Sequence, residues 1–256
     1  MKFTQLPVAA AIAYTLYPQI SYAEQITETE ANVEKIEIVG IRQNRISEGA
    51  TGLALEIDET PQSISVISAE QLKNYSAFNV NDALRLAPGI NVEEWETNRT
   101  NYTSRGFEIK NTQIDGVGLP NDWGIVTGAM EAYGYEKIEV IRGANGLLTG
   151  VGNASGTLNY VRKRPKNENG GEIGVSVGSW DFKRLQADYS LLLTESGSWA
   201  ARFVAAAEDK ESYLDGLENN REFFSAVVDG QLTDNSTVTV GYSYQDADTD
   251  GNTWGG

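Results

Sequence analysis

Whatever chemistry this 256-residue chain performs is done without a thiol or an imidazole, because it contains neither cysteine nor histidine. That excludes disulfides, thiolate and imidazole zinc sites, cysteine nucleophiles and Ser-His-Asp triads together. Catalysis would have to rest on carboxylates, hydroxyls, lysine or tyrosine, and no nucleophile–base arrangement is visible. Adjacent acids such as Glu93 and Glu94 imitate an acid/base dyad, but neighbouring charges on a polar loop read as solvated surface. The residues that stand out are better suited to holding a ligand than to transforming one. Trp95, Arg99, Tyr102 and Trp123 sit on segments rich in Asn, Thr and Gly. Aromatic faces and a cation can grip a bulky ligand. The same rings would equally serve by packing on their own domain.

The formal charge of −16 argues against a nucleic-acid partner, which requires a basic face. The glycine-rich run Gly143–Gly150 lacks the Lys-Ser/Thr that a phosphate loop needs. Residues 1–23 read as a secretory signal: Lys2, an apolar stretch from Leu6 to Leu16, and the small-x-Ala site Ser21-Tyr22-Ala23. That stretch is too short to span a bilayer as a helix, which takes about 20 residues. The mature chain is expected to begin at Glu24, and loss of Lys2 makes its charge −17.

Residues 24–58 read as a flexible, acidic linker, interrupted at about 34–40 by a β-prone run, Ile36, Glu37, Ile38, Val39 and Gly40. Residues 59–165 carry a mixed pattern. Gln62 to Ile67 alternates as a strand, and Ser68-Ala69-Glu70-Gln71 has capping-box spacing. Asn79 caps a second helix to Ala87, which Pro88-Gly89 stops. Ile90 to Val92 returns to strand, Glu93 to Asn101 reads as a polar loop, and Asp115-Gly116 marks a turn whose type the further glycine at 118 leaves undecided. Ile138 to Ile141, a short helix from Ala144 to Leu148, and Thr157 to Val161 complete the body. Beyond Pro165 the period becomes two. Ile173, Val175 and Val177, then Leu185, Ala187, Tyr189 and Leu191, alternate with polar residues such as Arg184, Gln186, Asp188 and Ser190. The runs ending in Phe203, Val228 and Tyr244 continue the stripes. Segments of about ten residues with one apolar face are the signature of transmembrane β-strands. A soluble β-sandwich produces the same alternation.

The blocks Thr60–Ile67, Asn81–Leu84 with Pro88-Gly89, Ser104–Phe107, Gln113–Val117 and Glu139–Gly143 occur in order and lead into Arg142–Pro165. In that order and spacing the chain resembles the TonB-dependent outer-membrane siderophore receptors. Asn153–Asn159 and Val161–Pro165 look most like receptors for ferric hydroxamate-type siderophores. The resemblance implies an α+β plug domain, a small mixed sheet with short helices, over 59–165. It implies that 170–256 supplies the first strands, about five, of a transmembrane β-barrel. Such barrels have about 22 strands, and five cannot close at that diameter, so the chain reads as the truncated N-terminal part of a receptor. The linker leaves no room for the extra periplasmic signalling domain that some relatives carry.

By the same resemblance, Ile36–Gly40 is the TonB box, a strand offered to TonB, which works with ExbB and ExbD. Arg105 and Arg142 lock the plug to barrel glutamates in bidentate pairs, unless they pair inside the plug. Trp95, Arg99, Tyr102 and Trp123 contact the cargo from apical loops. The cargo is an iron(III)-siderophore chelate that brings its own iron ligands, so no cofactor and no metal site is expected. The place is the outer membrane of a Gram-negative bacterium, in contact with its lipid, and the activity is uptake rather than catalysis. Import of another nutrient, or a soluble periplasmic plug-like module without transport, are the rival readings. Mass analysis of the exported protein is expected to give Glu24 as its first residue; retention of Lys2 would remove the signal reading.

Overall fold

The computed structural model describes residues 46–95, 97, 99–119, 125–127 (backbone only), 130–143, 154–233 and 235–253. The signal, the box at Ile36–Gly40, Trp123 and the helix expected at Ala144–Leu148 lie outside the described residues. In chain order the elements of the N-terminal body are β1 (Ile46–Ser47), β2 (Leu55–Glu56), β3 (Ser63–Ser68), α1 (Ala69–Asn74) and α2 (Val80–Arg85). There follow β4 (Ile90–Trp95), β5 (Arg99–Ser104), β6 (Phe107–Glu108), β7 (Asn111–Ile114), β8 (Val117–Leu119), β9 (Ile125–Thr127), β10 (Tyr135–Arg142) and β11 (Gly156–Arg162). The long strands are β12 (Gly170–Val177), β13 (Lys183–Leu192), β14 (Trp199–Glu211), β15 (Glu218–Thr233) and β16 (Ser236–Asp250).

Local signals account for the short helices. Ser68 Oγ accepts from Gln71 N while Ser68 N donates to Gln71 Oε1, the reciprocal capping box. Asn79 Oδ1 accepts from Asp82 N and starts α2. Both helices lay apolar residues on a five-stranded sheet of order β3-β10-β11-β7-β8. Leu72, Val80, Ala83 and Leu84 share its core with Ile138, Val140, Leu158 and Tyr160. The sheet is mixed, because β11 runs parallel to β7 and antiparallel to β10. Asp115 and Gly116 both take positive φ, 49° and 77°, and close the β7–β8 hairpin as a type I′ turn. The loop expected at Glu93–Asn101 is mostly strand instead. β4 runs on to Trp95, and β5 begins at Arg99, directly opposite it. Cross-strand pairing over Ile90–Ser104 outweighs the polar character of the tip.

The other face of β10 is polar. Glu139 is fully buried, accepts from Ser47 Oγ at 2.8 Å and Asn159 Nδ2 at 2.9 Å, and pairs with Lys137 at 2.8 Å. Lys137 Nζ also donates to the Ile46 carbonyl. The short β1 strand is thus seated on the sheet by polar contacts.

Strands β12 to β16 form a second five-stranded sheet, antiparallel throughout and in sequence order. Its burial is inverted relative to a water-soluble sheet. Ile173 and Val175 are 79% and 73% exposed, and Tyr242 and Tyr244 also face outward, whereas Asp188, Ser190, Arg202, Arg221 and Ser225 are buried on the inner side. A sandwich would bury the apolar stripe, so the rival soluble fold is overturned: the apolar face is turned away from the body and the polar face covers it. The connection at 193–198 lies at one end of this sheet and those at 178–182 and 212–217 at the other. Among the described residues no helix is long and apolar enough to cross a membrane. Ile138→Ala is expected to destabilise the body by about 2–5 kcal/mol in urea. Val175→Ala, on the outward stripe, should leave that midpoint unchanged; equal losses would contradict the inverted burial.

Candidate functional site

Strand register alone places three charges in a row. Arg184 on β13 lies opposite Glu208 on β14, which lies opposite Arg221 on β15. All three point to the inner face, with Arg184–Glu208 at 2.9 Å and Arg221–Glu208 at 2.7 Å. The N-terminal body contributes the fourth charge. Glu131, 1% exposed, accepts from Arg184 at 2.6 and 3.1 Å and from Arg221 at 3.0 Å. Its position is set by backbone pairing beside α2, Val80 N to Met130 O and Ala132 N to Phe78 O. Tyr133 N donates to the Glu131 carboxylate, and Glu131 N donates to Gln245 on β16. Two carboxylates and two guanidiniums make the contact formally neutral.

A second buried cluster lies four residues along β13, at Asp188. Asp188 accepts a two-pronged contact from Arg202 at 2.8 Å each and a third bond from Lys163 at 2.8 Å. The Lys163 ammonium lies 3.8 Å from the Tyr133 ring centroid. Burial pulls its pKa below the usual lysine range, although Asp188 opposes the shift. The basic tripeptide that ends the body is thereby divided. Arg162 bonds Asp115 within the body, Lys163 takes Asp188 on the wall, and Arg164 makes a two-pronged contact with Asp229 at 2.9 and 3.0 Å. Close approach also requires Gly134, where a Cβ would stand 2.4 Å from Cζ of Phe223 on β15.

The two arginines expected by resemblance to form the lock, Arg105 and Arg142, take no part in these pairs. Arg142 is spent within the body, donating to Pro88 O at 2.7 and 3.1 Å and to the hydroxyls of Ser63 and Ser65. It ties the end of α2 to β3. Arg105 is exposed, with φ 55°, and makes no ion pair among the described residues. In the Glu131 row the body supplies the carboxylate and the strands the arginines, whereas Lys163 and Arg164 carry cations from the body to Asp188 and Asp229 on the strands. The inward arginines were visible as charges opposite an apolar stripe, but Glu131 had no local signature.

At the end of the wall with the connections at 178–182 and 212–217, a cleft of about 380 Å³ opens between the β4–β5 hairpin and strands β14–β16. Its lining includes Arg99, Glu94, Lys210, Tyr213 and Asp248, and it reaches the charged row at Glu208 and Arg221. Trp180 meets Tyr213 edge-on at 6.4 Å. Arg99 lies 5.9 Å from the Trp95 ring centroid, so these two expected ligand contacts come together, and Arg99 lines the cleft. Tyr102 does not join them. It is 2% exposed in the body's core, donating its hydroxyl to Asn81 Oδ1 at 2.6 Å, and burial drives its phenol pKa up. A β-strand alternates its faces, and Tyr102 falls on the inner one. Trp180, Lys210 and Tyr213 were missed because two connections and the end of β14, far apart from the β4–β5 hairpin in sequence, meet at the cleft only in the folded chain. Among the described residues no group of three acidic side chains is placed to hold a metal.

Residues 56–157 match the family described as TonB-dependent Receptor Plug Domain. Over 210 residues the chain is 39% identical to the ferripyoverdine receptor of Pseudomonas aeruginosa, covering 81% of this chain and 26% of that protein. It is 28% identical over 182 residues to the ferrichrome outer membrane transporter and phage receptor of Escherichia coli, covering 68% and 24%. The crystal structure of the Pseudomonas aeruginosa outer-membrane receptor bound to ferripyoverdine superposes with a TM-score of 0.77 at 38% identity, covering 82% of this chain and 28% of that one. The alcaligin outer-membrane receptor of Bordetella pertussis superposes with a TM-score of 0.71 at 38% identity, covering 79% and 35%. The chain spans about a quarter of the length of the curated relatives it matches.

Arg184→Ala leaves Glu131 and Glu208 with Arg221 as the one guanidinium between them. The contact between body and wall is expected to weaken by about 3–5 kcal/mol, read as a lower denaturant midpoint in detergent. Lys73→Ala breaks the solvated Lys73–Glu172 pair and should change that midpoint little; parity between the two variants would count against a load on the buried row.

Proposed function

This chain belongs to the TonB-dependent receptors, of which it carries the plug and the first barrel strands, and we propose that its protein imports a ferric siderophore across the outer membrane under energy from TonB. One observation carries the reading: an apolar stripe faces outward while a charged inner face, neutral as a set, seats the plug. A wall of that kind separates lipid from a polar lumen, and a plug held by paired charges can be seated and withdrawn. Relatives of this family are receptors and transporters rather than enzymes, and this protein is a transporter.

The cargo is a ferric chelate, as the names of the relatives indicate for them. Because the chelator fills the iron coordination sphere, the receptor recognises shape and charge. Arg99 and Lys210 offer cations in the apical cleft, and Trp95, Trp180 and Tyr213 offer ring faces nearby. Ile36–Gly40 is the strand given to TonB, whose partners ExbB and ExbD supply the energy, and main-chain pairing provides the hold. The outward stripe contacts outer-membrane lipid.

Iron-starved cells carrying the receptor should accumulate radiolabelled iron from a ferric siderophore, and lose that uptake when TonB is deleted. Uptake indifferent to TonB, or restricted to a nutrient without iron, would falsify the reading. Arg99→Ala is expected to weaken siderophore binding about tenfold, measured by quenching of tryptophan fluorescence.

A further inference from the structure

The outward face of strands β12–β16 can be followed rung by rung, because register fixes which side chains share a row. The rung Ile173, Ala187, Ala205, Phe224 and Tyr244 is apolar on all five strands. Two residues nearer the cleft, the rung Val175, Leu185, Ala207, Glu222 and Asp246 is apolar on β12–β14 and acidic on β15 and β16. On the third rung only Val177 is apolar, and Lys183, Asp209, Asn220 and Asp248 complete it. The large apolar members, Ile173, Val175, Val177, Leu185, Phe224 and Tyr244, are all exposed.

The edge between apolar and charged surface therefore slants across the sheet. It moves by about four residues, or about 13 Å, along the strands while crossing about four strand spacings, or about 19 Å, an inclination of about 35° to the rungs. Rungs run at right angles to the strands, so a flat hydrocarbon boundary crosses them at the angle of strand tilt. Strands of outer-membrane barrels tilt by about 35–45°. A sheet standing in water has no reason to grade its surface at that angle. The width agrees as well: the outward stripe of β14, from Trp199 to Ala207, is about nine residues long, enough to cross a bilayer at such a tilt. Beyond the edge, like charges face one another. Glu222 stands opposite Asp246, and Glu218 opposite both Glu211 and Asp250. Such pairs repel, and water with its ions screens them where hydrocarbon would not.

We propose that the hydrocarbon of the outer leaflet ends on this slanted line, through Val177, Ala207 and Tyr244, and that β14–β16 rise clear of it. This rests on the transport reading above and adds where the membrane stands on the wall. From Tyr244 to Asp250, β16 climbs about 15 Å past the line. The cleft belongs to that raised part. Lys210, Asn219 and Thr249 line it, and Thr97 at the tip of the plug hairpin meets Asn252 and Thr253 there. The Arg184–Glu208–Arg221 row, at the seam between plug and wall, lies between the second and third rungs, level with the outer edge of the membrane. A hydrophilic chelate is thus bound above the hydrocarbon, with no lipid to displace.

The chain has no cysteine, so single replacements each report one place in a receptor otherwise free of thiols. Val177→Cys and Asp209→Cys share the third rung, and Ala207→Cys and Asp246→Cys share the second. In intact cells, a charged, impermeant maleimide added outside should label positions 209 and 246 about tenfold or more faster than 177 and 207, because a thiol in hydrocarbon neither ionises nor meets the probe. After denaturation all four should label alike. If Val177→Cys does not reach the outer membrane, Val175→Cys takes its place, compared with Asp246→Cys on the second rung. Equal labelling of the two members of either rung overturns the line, and so does equal labelling of 207 and 209. A receptor that labels as expected yet imports no ferric siderophore keeps the line and loses the cargo. One that imports it while labelling evenly keeps the transport reading and loses the line.

Discussion

Glu131, Arg184, Glu208 and Arg221 meet with almost no exposure to water, and they join the plug to the strands that follow it. Apolar surface would hold more firmly, at about 25 cal/mol per Å². That attraction is non-directional and survives sliding. A buried set of charges behaves differently: its net contribution is small when complete, yet removal of one member is costly. Such a contact is strongly specific for one seating and only weakly adhesive overall. The rest of the architecture follows from it. The inner face of the strands is mostly polar, with a small apolar cluster of Val204, Ala206 and Phe223 against Tyr133, and the large exposed apolar residues such as Ile173, Val175 and Tyr242 lie on the outer face.

The plug is arranged around the same constraint. Its apolar core lies on one side of β10, with the two short helices, and is independent of the wall. The opposite side of β10 is polar and holds the N-terminal strand β1 through Ser47, Glu139 and Lys137. The loop that leads into β10 carries Glu131, and Glu136 on β10 reaches Arg202 at 3.4 Å. One strand thus connects the entry of the chain, the core and the seam. The basic tripeptide at residues 162–164 makes the exit equally definite, with successive side chains turned to the plug hairpin and to two wall strands.

Much of the fold was legible because its determinants are local. The capping box at Ser68, the cap at Asn79 and the stop at Pro88-Gly89 each act within one helical turn. The striped segments revealed five strands because side-chain direction alternates with every residue. What stripes cannot reveal is which face meets water. Ile173 and Arg184 would exchange roles in a soluble sandwich, and only the position of the plug against the polar face decided between them.

The candidate site was less legible for the same reason. Arg99 and Trp95 pair across one hairpin, a distance that sequence spacing can anticipate. Tyr102 is three residues from Arg99 along a strand, and that odd step turns its ring into the core. Arg105 and Arg142 had the right chemistry for a lock, but helix α2 ends beside Arg142 and takes its donors. Residue types and their periodicity established a cysteine-free chain with a mixed body and two-faced strands, because those properties depend on neighbours in the chain. The pairing of Glu131 with arginines 53 and 90 residues away was decided only by folding, because strand register and the docking of one body on another bring together groups that share no local pattern.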